Sequence, residues 1–198
     1  DMVLELIEIF EELKNSADIS AVILTGEGTS FCAGADLAYL QQLSSFSNNE
    51  NYADSEMLSR LFYGIYSMNK LTIAAVNGPA IAGGYGLVTA VDYVIAHDSL
   101  AKFGYTEVKI GFLPAIVSAL LIKRVGESKA RLLLIGGNIL TSADAERIGL
   151  VDVLDGNPVE AAINFAKSLE NNSAESIAET KKLIRTVSGM GIEEAIAY

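Results

Sequence analysis

Thr72-Ile73-Ala74-Ala75-Val76-Asn77-Gly78-Pro79-Ala80-Ile81-Ala82-Gly83-Gly84-Tyr85-Gly86 decides the fold class of this chain. Residues 72–76 are a short, continuous apolar and β-branched run, the pattern of a strand buried on both faces. Asn77-Gly78-Pro79 turns the chain, and the spacing beyond predicts a helix from about Gly84 towards Val91. A strand that passes through glycine-rich backbone into a helix is the building unit of an α/β protein. The glycines leave backbone N–H groups uncovered, and a helix N-terminus adds partial positive charge beside them.

The same order occurs once upstream. Ala21–Thr25 reads as a buried strand ended by Gly26 and Gly28, followed by Ser30-Phe31-Cys32-Ala33-Gly34-Ala35-Asp36. A helix is then expected from Leu37, with Asp36 as its cap. Glycines in strand-to-helix turns often serve tight packing alone, so one such loop says little. Two of them facing one another could hold a single developing negative oxygen, the arrangement of an oxyanion hole.

Downstream, Tyr93–Ala96 reads as a strand and Phe103 as a short extended piece before Thr106-Glu107-Val108-Lys109. Helices are expected at Ala115–Val125 and Ser128–Ile135, and Thr141 with Asp144 starts another as a capping box. Asn157-Pro158 with Glu160 opens a helix-rich tail suited to packing or oligomerisation. Between the loops, Ser44–Asn51 reads as a solvated connection. Met57, Leu58, Leu61, Phe62 and Ile65 then make a helical apolar stripe. Alternating strands and helices predict an α/β fold with mainly parallel strands. Residues 1–198 read as a single domain. The chain opens directly in an amphipathic pattern and stops at Tyr198 inside another, so N-terminal strands and C-terminal helices are expected to be missing from it.

Composition narrows the function. With 25 acidic against 14 basic side chains the net charge is −11, which repels nucleic acid and anionic membrane. No apolar run has the length of a membrane span. Cys32 is the only cysteine, which excludes an internal disulfide and favours a reducing, cytoplasmic compartment. His97 is the only histidine, so neither a Ser–His triad nor a metal cluster is supported. Gly26-x-Gly28 lacks the third glycine of a dinucleotide fingerprint. Cys32 reads as a small buried hydrophobe rather than a nucleophile. Lys102 and Lys109 read as solvated surface, with contact to a ligand phosphate as the sharper alternative. Glu107 stands out: a carboxylate among Phe103, Val108, Ile110 and Phe112 gains a raised pKa, which suits proton transfer near neutral pH. On residue type alone, a solvated surface glutamate is the commoner outcome.

These stretches together resemble the crotonase superfamily, the enoyl-CoA hydratase/isomerase family. The resemblance runs through Leu24-Thr25-Gly26, Phe31-Cys32-Ala33-Gly34-Ala35-Asp36-Leu37 and Ala74-Ala75-Val76-Asn77-Gly78. It continues through Ala82-Gly83-Gly84, Asp92, Phe103-Gly104 with Glu107, Gly111 with Pro114, Ala143-Asp144-Ala145 and Gly149-Leu150-Val151-Asp152. It implies a spiral of strand–strand–helix turns with C-terminal helices that build a homotrimer or a dimer of trimers. It also implies an acyl-CoA thioester as substrate and no separate cofactor, coenzyme A being part of the substrate. The thioester oxygen would lie between the backbone N–H groups of Ala33 and Gly83. Ala33, Gly34, Ala35, Asp36 and Gly83 would line the binding path, and Glu107 would be the catalytic carboxylate.

One departure bears on the reaction. Family hydratases use two glutamates, and the position of the first falls on Gly86. A lone carboxylate can shuttle a proton between two carbons, which is isomerase chemistry, or can hydrate if another group orients the water. Tyr85 and Tyr105 are expected as neutral water holders. Gly86-Leu87-Val88, Glu107-Val108-Lys109 and Pro114-Ala115 are similar to methylglutaconyl-CoA-hydratase-like members. The reading is therefore hydration of a 2-enoyl-CoA to the 3-hydroxyacyl-CoA. The alternatives are isomerisation of 3-enoyl-CoA to 2-enoyl-CoA and a non-catalytic binding subunit.

Overall fold

The computed structural model describes residues 2–43 and 45–198. After helix α1 (Met2–Asn15) the strands β1 (Ala21–Thr25), β2 (Leu71–Val76), β4 (Tyr93–His97) and β7 (Val153–Asp155) form a parallel sheet in the order β1-β2-β4-β7. Every residue of β2 is buried, as its continuous apolar run requires of a central strand. Leu71, Ile73 and Ala75 face helix α8 (Pro158–Ser168), while Ala74 and Val76 face the main core, so the two-residue period sorts one strand between two apolar layers.

A second, smaller sheet holds β3 (Pro79–Ile81), β5 (Lys102–Gly104) and β6 (Leu140–Thr141). An isolated parallel bridge between Cys32 and Ala80 extends it to the first glycine-rich loop. Each turn of the chain therefore lays a strand in the first sheet, an extended piece in the second layer, and a helix outside. The first turn is β1, the Cys32 bridge, then α2 (Leu37–Leu43) and α3 (Asn48–Ser67). The second is β2, β3 and α4 (Gly83–Ala90), and the third is β4, β5 and, after a 3-10 turn at Glu107–Ile110, α5 (Ala115–Val125). This is the expected spiral of strand–strand–helix turns.

Helix α6 (Glu127–Gly136) follows, and α7 (Ser142–Arg147) starts on Thr141, whose hydroxyl accepts from the Asp144 N–H. Helices α8, α9 (Ala174–Val187) and α10 (Ile192–Ala197) make up the tail. Helix α4 carries three glycines, each costing roughly 1 kcal/mol against alanine in a helix interior. It forms nonetheless because residues 84–90 are all buried, and packing on every side outweighs intrinsic propensity.

The expected loop at Ser44–Asn51 is corrected in part. Ser44 lies outside the described residues, but Asn48–Asn51 are the first turn of α3. Ser47 accepts from the Glu50 N–H while Glu50 reaches back to the Ser47 N–H, a complete capping box that draws a polar stretch into the helix.

Candidate active site

Three parallel segments bring the site residues to one end. The Cys32 bridge, β3 and β5 lie side by side, with Ala80 opposite Phe103 and Ile81 opposite Gly104. Ala33 follows Cys32, Gly83 lies two residues beyond β3, and Glu107 three beyond β5. Parallel strands release their following residues at the same edge, where ligands of α/β folds bind. The two glycine-rich loops therefore converge.

The weld between them is specific. The Phe31 and Cys32 N–H groups donate to the Pro79 carbonyl at 3.0 and 3.1 Å, and the Ile81 N–H donates to the Cys32 carbonyl at 2.9 Å. A β-carbon on Gly84 would stand 2.1 Å from the Cys32 carbonyl oxygen, so only glycine lets the backbones close to this distance. At Gly83 the same construction meets nothing within 4 Å, which means that its flank faces open space. The N–H groups of Ala33 and Gly83 take no part in the hydrogen bonds that join the loops. Ala33, Ala35 and Asp36 are exposed and Gly34 half-buried. Asp36 caps α2 as expected, its Oδ1 accepting from the Ala38 N–H at 2.7 Å and from the Tyr39 N–H at 3.2 Å.

Glu107 opens the 3-10 turn and is half-buried. Its Oε2 is buried without a hydrogen-bond partner among the described residues. Burial pushes its carboxyl above the ordinary range, only partly opposed by its own backbone N–H. The environment is thus that of a carboxylate suited to take up and return a proton.

Tyr85 and Tyr105 do not serve as expected. They stack with centroids 4.2 Å apart and are 0% and 1% exposed, so neither presents a hydroxyl to an open water site. The Thr89 hydroxyl donates to the Gly86 carbonyl at 2.9 Å and accepts from Tyr105 at 3.1 Å, which commits that phenol. The Tyr85 hydroxyl is buried without a partner among the described residues, and burial drives its pKa far upward. Tyr85 is enclosed because residues 84–90 of α4 are all buried. Position 86 is closed as well. A β-carbon there would stand 2.6 Å from Phe62 Cζ and 2.7 Å from Val117 Cγ1. Phe62 is 1% exposed and cannot swing aside, so α3 and α5 occupy the space a side chain at 86 would need.

Sequence reading placed Phe62 on an apolar stripe, and only packing shows it closing position 86. Ala82 was likewise missed, since its conformation has no sequence signal: it has φ 50° and is the non-glycine residue at positive φ among those described. Cys32 is half-buried, and Lys102 and Lys109 are exposed. A separate cavity of about 250 Å³ opens at the N-terminal ends of β1 and β2 between Lys70, Leu71 and Leu169, away from both loops and Glu107.

A spiral of strand–strand–helix turns, with two glycine-rich loops and a buried carboxylate at one end, defines a crotonase-type protein. The sequence profile of the enoyl-CoA hydratase/isomerase family matches residues 1–197. The chain belongs to that family. It is 42% identical over 196 residues to a Thermus thermophilus protein inferred to be an enoyl-CoA hydratase, covering 98% of this chain and 77% of that one. It is 37% identical over 154 residues to the crotonyl-CoA hydratase of Syntrophomonas wolfei, covering 77% of this chain and 58% of that one. Among solved structures, an enoyl-CoA hydratase from Shewanella pealeana superposes with a TM-score of 0.94 at 27% identity, covering 99% of this chain and 74% of that one. No helix among the described residues is long and apolar enough to cross a membrane.

Proposed function

We propose that this enzyme hydrates a 2-enoyl-CoA thioester to the 3-hydroxyacyl-CoA. The observation that carries the reading is the half-buried Glu107, whose Oε2 is buried without a partner among the described residues, at the edge where two converging loops present the Ala33 and Gly83 backbones. Water attacks the β-carbon as Glu107 takes its proton. The electron pair of the double bond moves into the thioester, and the oxygen gains enolate charge between the Ala33 and Gly83 N–H groups. Such donors stabilise that charge without reorganising during the step, and losing one typically costs about 10²–10³ in rate. Glu107 then returns the proton to the α-carbon, so one water adds across one double bond with no net change in the protein. A single carboxylate serving both transfers delivers hydroxyl and proton to the same face of the alkene. Coenzyme A is part of the substrate, and no further cofactor or metal enters. Gly34, Ala35 and Asp36 line the path of the coenzyme A moiety.

Gly86 favours a second reading, isomerisation of 3-enoyl- to 2-enoyl-CoA, because Glu107 alone suffices to move a proton between two carbons. Hydration is preferred because the relatives above carry hydratase names. The likeness of Gly86-Leu87-Val88 and Pro114-Ala115 to methylglutaconyl-CoA-hydratase-like sequences supports a branched or polar acyl group. A panel of 2-enoyl- and 3-enoyl-CoA substrates in H₂¹⁸O tests both. Label on the β-carbon of a 3-hydroxyacyl product establishes hydration. Efficient 3-to-2 conversion with no labelled alcohol from any 2-enoyl-CoA establishes the isomerase, and no turnover at all leaves a binding subunit.

Assembly as a trimer, or as a dimer of trimers, is part of the proposal. It is supported by apolar side chains left open on the turn after Glu107, on α6 and on α10: Leu113, Leu132, Ile135, Ile192 and Ile196 are each at least 70% exposed. The single cysteine supports action in the cytoplasm, and the acidic net charge disfavours nucleic acid and anionic membrane as partners.

A further inference from the structure

We propose that Ala82 is a positioning residue that aims the Gly83 N–H into the cleft and spaces the two glycine-rich loops; this rests on the oxyanion reading of Ala33 and Gly83. Ala82 has φ 50° and ψ −119°. For an L-residue this is a sparsely populated, strained region, and such outliers persist only where the surroundings hold them.

The strain has a direction. The ψ angle of Ala82 rotates the peptide plane whose N–H belongs to Gly83. Relaxed residues place ψ near −40° or between about +100° and +180°. Relaxation from −119° would therefore swing that N–H by roughly 60° or more.

Two hydrogen bonds hold the conformation, and the methyl faces the first loop. The Ala82 N–H donates to the Gly104 carbonyl at 2.9 Å, on the strand that leads to Glu107. Its carbonyl accepts from the Gly86 N–H at 3.0 Å, opening α4. Its methyl faces Gly34 of the first loop, where an added β-carbon would stand only 3.0 Å from it. One residue thus couples the Glu107 strand, α4, the first loop and the Gly83 donor. Glycine would adopt the same φ and ψ without strain. What alanine adds is the methyl, which sets the loop spacing.

Ala82→Gly therefore separates stability from catalysis. Strain relief leaves the melting temperature unchanged or higher. The lost spacer lets the donor wander, and kcat falls by roughly tenfold with KM changed less than about twofold, since small misplacements of reacting groups are costly. Ala82→Ser keeps the β-carbon and recovers turnover relative to glycine. The second readout is the carbonyl stretch of bound ¹³C1-labelled butanoyl-CoA, a saturated thioester that cannot be hydrated. The wild type shifts it to lower frequency, and Ala82→Gly shifts it less. Wild-type kcat and an intact shift in Ala82→Gly overturn the role of Ala82 and leave the oxyanion hole standing. A fall in kcat that tracks a fall in melting temperature reduces Ala82 to a structural residue and also overturns it. No shift in the wild type sinks the oxyanion reading itself, and this proposal with it.

Discussion

Glu107 combines a functional requirement with a structural cost. Its carboxyl is held above the ordinary value of 4.5 mainly by burial, and its Oε2 lacks a partner. A folded state that binds the proton more tightly than the unfolded chain loses stability as pH rises from the unfolded value through the raised one. Glu107→Gln removes that penalty. Its melting temperature should exceed the wild type's at about pH 7, with the advantage gone by about pH 4. Turnover should nonetheless fall by at least roughly 10²-fold, the usual scale of lost general acid–base catalysis, with acyl-CoA binding kept. Near-normal turnover would remove Glu107 from the mechanism. Gly86 is the second residue-scale test. Because a β-carbon there meets Phe62 and Val117 below 3 Å, Gly86→Ala should destabilise by roughly 1–3 kcal/mol through overpacking. Trimming Phe62 to Leu in the same chain should restore part of that loss in denaturant melts. A single Gly86→Ala that melts like the wild type would mean that position 86 is open after all.

Among the elements, α9 is attached to the sheet by charge through Lys181 and Asp92, as α5 is through Arg124 and Asp152. Lys181 Nζ donates to Asp92 Oδ2 and to the Lys70 carbonyl, both at 2.5 Å. Asp92 Oδ2 also accepts from the Thr72 N–H and hydroxyl, at 2.8 and 2.9 Å. The pair is only partly exposed, at 11% and 25%, so it is worth more than a surface ion pair. No residue of α9 is fully buried. Lys181→Met should cost about 2 kcal/mol, the scale of hydrogen bonds to charged groups. Amide exchange should show α9 losing protection before β2 or β4 does, and uniform loss across the sheet would contradict the local attachment.

At the scale of the whole molecule, Leu132 and Ile135 on α6 and Ile192 and Ile196 on α10 are open apolar residues that the proposed assembly would cover. Light scattering on the full-length protein should give a trimer or a multiple of three. A stable monomer at assay concentration would contradict this. If assembly buries Leu132 and Ile135, Leu132→Lys should shift the distribution towards smaller species while leaving the melting of the isolated fold nearly unchanged.

Much of this molecule is written locally. Ala21–Thr25 and Ala115–Val125 take their observed bounds from apolar patterning, and Asp36, Thr141 and Asn157 cap the helices they were expected to start. Those features depend on side chains within a few residues of one another, so a linear reading reaches them. The motif order also reached Ala33, Gly83 and Glu107 as candidates. The short strands β3, β6 and β7 were not legible, because two or three residues carry no period and owe their state to a partner strand. The burial of Tyr85 and Tyr105, the closure of position 86 by Phe62, and the strained Ala82 were equally out of reach. Each depends on where helices α3, α4 and α5 come to rest against one another. Tertiary packing alone decides that, since contact across the core links residues far apart in sequence, whose types give no sign of their distance.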